Sequence, residues 1–119
     1  IVMTHSEDDT NNDHRIIFRS TLMATRPGAF PGLEKLISYE VLSSSEWNFT
    51  KVFLPNHFES LQKRHILLKC KALACFKSET RKYPHPRSNE GLIALASYRG
   101  IQSGFKFAEA YQLIRNFQK

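Results

Sequence analysis

The sequence predicts an α/β domain on three observations: short apolar runs that end in polar loops, helical periodicity resuming directly after those loops, and apolar stretches too brief for a membrane span. Ile1-Val2-Met3-Thr4 reads as the tail of a buried strand, and Ile16-Ile17-Phe18 with Leu22, Met23 and Ala24 reads as a helix continuing to Arg26. Between them, His5 to Asn11 is a loop rich in oxygen and nitrogen ligands. In open α/β sheets, ligands bind outside the carboxyl ends of the strands, so strand, polar loop and helix in this order mark a place for chemistry. Two readings fit Asn12-Asp13-His14-Arg15, which closes that loop. One is a zinc site using the imidazole. The other is an ordinary helix start, where short polar side chains cap free N–H groups and a carboxylate suits the positive end of the dipole.

Arg26-Pro27-Gly28-Ala29-Phe30-Pro31-Gly32 ends the helix and turns the chain. Leu36 to Leu42 then reads as a strand, mostly apolar as expected of a sheet covered on both faces. Ser43-Ser44-Ser45-Glu46-Trp47 forms a polar loop at its carboxyl end, so Glu46 and Trp47 are expected to face the same crevice as the first loop. Trp47, the only tryptophan, is either a packing residue or a stacking platform for a sugar ring. Residues 49–58 suggest a small extended excursion. A helix is expected from about Leu61 to Ser78, with Ile66, Cys70, Leu73 and Ala74 on one face and basic residues around the rest.

Tyr83-Pro84-His85-Pro86-Arg87-Ser88 holds the backbone extended, presenting an imidazole and a guanidinium with little freedom. Ser88 or Asn89 caps the next helix, with Leu92, Ile93, Leu95 and Ala96 as its stripe and Gly100 as its stop. Phe105 to Ile114 alternates well enough for a last strand.

With 119 residues the chain is expected to be one domain, residues 1–119. A hydrophobic content of 41% against 24% charged residues places it among ordinary globular proteins and excludes disordered and fibrous classes. No apolar run reaches the roughly 20 residues of a membrane span and no signal-peptide pattern opens the chain, so a cytoplasmic location without a membrane span is expected. The two cysteines, Cys70 and Cys75, project about 140° apart on one helix, which precludes easy bridging or joint metal binding. Both are expected to pack in the core. The net charge of +6 is uneven: Glu7, Asp8, Asp9 and Asp13 have no Lys or Arg among the first 14 residues, which suits a cation site. Scattered surface lysines account for the basic remainder, and no nucleic-acid partner is expected. No glycine-rich phosphate loop, nucleophile elbow or paired catalytic cysteine is present.

Several ordered motifs then carry a resemblance. Thr4-His5-Ser6 through Asn12-Asp13-His14-Arg15, Ala24-Thr25-Arg26-Pro27, Tyr39 through Trp47, Lys77-Ser78-Glu79, Pro84-His85-Pro86-Arg87-Ser88, Tyr98-Arg99-Gly100 and Ala108-Glu109-Ala110-Tyr111 resemble the carboxyl-terminal half of the LmbE-like, or PIG-L, deacetylases. The likeness extends over nearly the whole chain. It implies a Rossmann-like, LmbE-type three-layer α/β domain, of which this chain is the carboxyl-terminal portion without the first strands. It also implies a zinc-dependent hydrolase that removes N-acetyl groups from an amino-sugar or glycoconjugate of the N-acetylglucosamine type.

By that resemblance His14 is the zinc ligand, Asp13 orders the site, and Asn11 stands where many relatives have a histidine that stabilises or protonates the tetrahedral intermediate. An amide can donate a hydrogen bond to an oxyanion but cannot act as general acid. His5, Trp47, His85 and Arg87 are the expected substrate contacts. The family's early motif, His-Pro-Asp-Asp-Glu, supplies two further zinc ligands and the base, and has no counterpart here. Since the sequence opens without methionine and in mid-strand, a fragment is expected, completed by an amino-terminal segment or a homo-oligomer. Strand Leu36–Leu42 and the apolar helix faces should then lose packing partners and leave an exposed patch. The alternative is a catalytically inactive α/β remnant acting as an assembly or glycan-binding module.

Overall fold

The computed structural model describes residues 1–118; Lys119, the last residue of the expected domain, lies outside them. Strands β1 (Val2–His5), β2 (Lys35–Tyr39), β3 (His57–Ser60) and β4 (Ala108–Asn116) are joined by helices α1 (Asn12–Ala24), α2 (Lys63–Ala74) and α3 (Asn89–Ser103). The four strands form a mixed sheet in the order β1-β2-β4-β3. The chain divides into two units, Ile1–His57 with the stretch from Tyr111 onward, and Phe58–Ala110.

In the first unit, β1, α1 and β2 form a βαβ unit, with β1 and β2 parallel and Val2 opposite Leu36, Met3 opposite Ile37, Thr4 opposite Ser38 and His5 opposite Tyr39. Parallel pairing brings both carboxyl ends, and the polar loops that follow them, to the same edge. Strand β4 pairs antiparallel to β2, Tyr39 facing Tyr111, with a bulge between Leu36 and Ile37. Helix α1 begins where the Asn11 carboxamide accepts the N–H of Asp13 at 2.9 Å, and ends at Thr25, ahead of Pro27 and the left-handed Gly28. Leu36 is wholly buried, Ile37 nearly so, and Phe18, Leu33 and Phe53 complete the apolar core of this unit.

That packing corrects the expectation that β2 loses its partners: β1 and β4 flank it within the unit. On β1 and α1 the exposed large apolar side chains are Met3, Ile16, Ile17 and Met23. Strand β2 also stops at Tyr39 rather than Leu42. The Val41 N–H, which would continue a ladder, donates to the Ser45 hydroxyl at 2.7 Å, and Ser43 takes a left-handed φ of 66°.

In the second unit, α2 opens with Gln62 and His65 capping each other's backbone N–H groups, and buries Ile66 and Cys70. Cys75, expected in the core, is exposed at the end of that helix. Helix α3 opens on Ser88, whose hydroxyl accepts the Gly91 N–H at 3.0 Å, and buries Leu92 and Ala96. Its stop is Gly104, at φ 76°, one turn beyond the expected Gly100. Gly100 lies inside the helix, with its carbonyl accepting the Phe105 N–H at 2.9 Å. A Cβ there would stand 2.7 Å from the Phe105 carbonyl and 2.8 Å from that of Lys106, so the missing side chain lets the departing chain cross over the helix. Gly100→Ala is expected to destabilise the fold by about 1–3 kcal/mol despite its better helix propensity, read as a lower urea midpoint.

Candidate functional site

The loops after β1 and β2 are laced together by one buried carboxylate. Asp9 is 1% exposed and accepts the Asn11 N–H at 2.8 Å and the Ser45 hydroxyl at 2.9 Å, with the Ser44 hydroxyl in a third, short bond. A buried carboxylate is tolerated only when its lone pairs are filled this way. Around it, the Thr10 hydroxyl donates to the Ser44 carbonyl at 2.7 Å, and the Asn48 carboxamide donates to the Asp8 carbonyl at 2.6 Å. Glu46, expected to face the crevice, turns back to accept the N–H groups of Ser43 and Ser44 at 2.5 and 3.1 Å. That clamp holds Ser43 in its left-handed conformation, which costs on the order of 1–3 kcal/mol for a non-glycine residue.

Two imidazoles stand beside Asp9. His14, in the first turn of α1, has Nδ1 at 3.1 Å from Asp9 Oδ1, off the line of a straight hydrogen bond. The His5 ring stacks on that of His14 with centroids 4.0 Å apart and planes 24° from parallel. His5 Nε2 lies 3.3 Å from the hydroxyl of Tyr39, its partner across the β1–β2 ladder, while its Nδ1 is buried without a hydrogen bond. Burial, followed by the neighbouring His14 ring, pushes the His5 pKa down, and Asp9 only partly opposes this. His5 is therefore a neutral nitrogen donor near pH 7. For Asp9, burial alone would raise the carboxyl pKa; the bonds from Ser44, the Asn11 N–H and Ser45, with the neighbouring His14 ring, together outweigh it and hold the group below the ordinary carboxylate range.

Of the expected site residues, His5, Asn11, Asp13, His14 and Trp47 all fall in the first unit. Asn11 is the helix cap, and Asp13 is exposed in the first turn of α1. The carboxylate facing His14 is that of Asp9, which the sequence reading passed over. A signal for it existed: an aspartate inside one strand-end loop, with a run of three serines in the loop of the adjacent parallel strand. Trp47 closes a single 3-10 turn, Ser45–Trp47, and is 47% exposed. His85 and Arg87 belong to the second unit. There the His85 Nδ1 accepts the Arg87 N–H at 3.1 Å, and the Arg87 guanidinium pairs with Glu79.

No family model matches the chain, and no curated protein matches it.

Among the described residues no group of three or more His, Cys, Asp or Glu side chains is arranged to hold a metal ion. His5 and His14 are the two imidazoles of the cluster, and the Nδ1 of His5 is buried without a hydrogen bond. Two imidazoles still fall short of the three protein ligands usual for catalytic zinc, so these residues fit part of a zinc site. A cavity of about 250 Å³ lined by Thr25, Arg26, Pro27, Phe30, Leu33 and Phe117 sits at the opposite end of α1 from His14 and contributes nothing to this cluster. No helix among the described residues is long and apolar enough to cross a membrane.

His5 and Asp9 set the response to acid. The stability His5 contributes by staying neutral is complete above its unfolded pKa of about 6.5 and is lost as pH falls through its lower folded value. Asp9 contributes stability that is complete above about pH 4 and is lost as pH falls through its own lowered value. The urea midpoint is expected to drop in two steps on acidification. Asp9→Asn should abolish the lower step and cost about 2 kcal/mol at pH 7, because donors aimed at a carboxylate then meet an amide N–H.

Proposed function

We propose that this chain is part of a zinc-dependent hydrolase of LmbE-like, Rossmann-like architecture that removes an N-acetyl group from an N-acetylglucosamine-type substrate in a cytoplasmic setting. The observation that carries this reading is the stacked His5–His14 pair beside the buried Asp9 carboxylate, at the carboxyl end of parallel strand β1. It is supported by the motif resemblance of residues 4–15 and 39–47.

Zinc, when bound, supplies Lewis-acid polarisation of the acetamide carbonyl and makes water acidic enough to act as a nucleophile near neutral pH. The residues of the chain prepare for it. Asp9, 3.1 Å from His14 Nδ1, would orient that ring so that Nε2 could serve as the metal donor, as carboxylates behind ligating histidines commonly do. Ser44 and Ser45 hold that carboxylate still. His5, kept neutral by burial and fixed by Tyr39, accepts a proton or donates a lone pair in the same place. Asn11 offers amide N–H groups to an oxyanion while its oxygen caps α1. Asp13 stays in its role as a carboxylate at the positive end of the helix dipole. Trp47 on the adjoining loop, partly exposed, is the proposed stacking platform for a sugar. His85 and Arg87 are proposed substrate contacts on resemblance alone. The remaining metal ligands and the general base come from an associated amino-terminal segment or a second subunit.

The incomplete ligand set favours one other reading, a non-catalytic α/β module that assembles with other subunits or binds glycans. The two separate on zinc content by mass spectrometry and on acetate release from an N-acetylglucosamine-type substrate, measured on the full-length protein. His14→Ala is expected to abolish zinc retention and lower turnover at least 100-fold, and Asp9→Asn to weaken zinc binding about 10- to 100-fold. Unchanged zinc and turnover in His14→Ala would refute the ligand role. A wild-type protein that folds and oligomerises with neither zinc nor turnover would favour the assembly module.

A further inference from the structure

Helix α2 carries a surface that the deacetylase reading does not use. Arg64, Leu67, Leu68, Lys71 and Cys75 recur at three- and four-residue intervals, which places them on one stripe, and all five are exposed. Leu67 is 48% exposed and Leu68 66%, and Phe76, in the turn after the helix, is 65% exposed. From Lys63 to Lys77 there are five basic side chains and no acid. The unit that contains α2 has ten Lys and Arg against four Glu, so it accounts for the entire net charge of +6.

We infer that this stripe docks α2 on an anionic lipid surface, Leu67 and Leu68 entering the headgroup boundary while Lys63, Arg64, Lys71 and Lys77 face lipid phosphates. Long basic side chains beside an apolar ridge suit that depth, because their stems lie along the acyl boundary while their charges reach the phosphates. The charge excludes a second copy as occupant, since pairing two such stripes sets like charges face to face. The leucines argue against nucleic acid, whose phosphates would satisfy the cations and leave Leu67 and Leu68 without apolar cover. Twelve residues are too few to span a bilayer, so α2 lies on the surface.

The test is co-sedimentation of the intact chain with phosphatidylcholine vesicles and with vesicles containing roughly a third phosphatidylglycerol. Binding is expected to the anionic vesicles alone and to weaken in roughly 1 M salt, where screening is short-ranged. Arg64→Glu with Lys71→Glu should lower the partition coefficient at least about tenfold. Leu67→Gln with Leu68→Gln should do the same, and retains good helix formers at exposed sites, so the circular dichroism spectrum should not change. Lys71→Glu alone, expected to cost about fivefold, keeps the test open if a double variant fails to fold. The inference is overturned by absence of binding to anionic vesicles, by a glutamine pair that partitions like wild type, or by equal binding to polyglutamate or duplex DNA.

Discussion

Burying the Asp9 carboxylate is the constraint on which the rest of the first unit depends. A carboxylate removed from water without partners is too costly for a domain of this size to carry, since whole-domain stabilities are only about 5–15 kcal/mol. Here its partners come from three chain positions: Asn11 at the start of α1, and Ser44 and Ser45 after β2. Those donors converge only if β1 and β2 run parallel in their observed register and α1 starts where it does. The same requirement explains why the β2 loop accepts a left-handed Ser43, clamped by Glu46, instead of the glycine such a φ favours. The carboxylate therefore sets strand register, helix start and loop shape together.

The imidazole pair follows from that geometry. Parallel register places Tyr39 opposite His5, and the helix start places His14 over the His5 ring. Stacked rings 4.0 Å apart disfavour two positive charges, and burial disfavours even one on His5, while the Asp9 carboxylate lies 3.1 Å from His14 Nδ1. The result is an asymmetric pair, one ring oriented by a carboxylate and the other kept neutral. The asymmetry arises where two adjacent parallel strands, the first turn of α1 and the loops that follow the strands meet.

Much of this was legible in the sequence because it rests on short-range rules. Apolar runs ended by polar loops located β1, β2 and α1, the serine before Asn89 located the start of α3, and alternation between Phe105 and Ile114 located β4. Errors arose where a distant partner decided the outcome. Leu42 was expected in β2, but side-chain capping by Ser45 ends the strand at Tyr39. Gly100 reads as a helix stop because glycine is common there, yet its role is to let residues 105 and 106 pass close by, and Gly104 provides the stop. Asp13 draws attention by adjacency to His14. On a helix, however, consecutive side chains diverge by about 100°, so the neighbour in sequence is not the neighbour in space. Asp9, five residues earlier and outside the helix, reaches the ring instead.

Charge separates the two units as sharply as their contacts do. The first unit balances seven basic against seven acidic residues, four of the acids lying within the first 13 positions, whereas the second carries the whole excess. Long-range attraction to anions is therefore a property of the α2 and α3 unit, while the imidazole cluster sits among local acids that favour a cation.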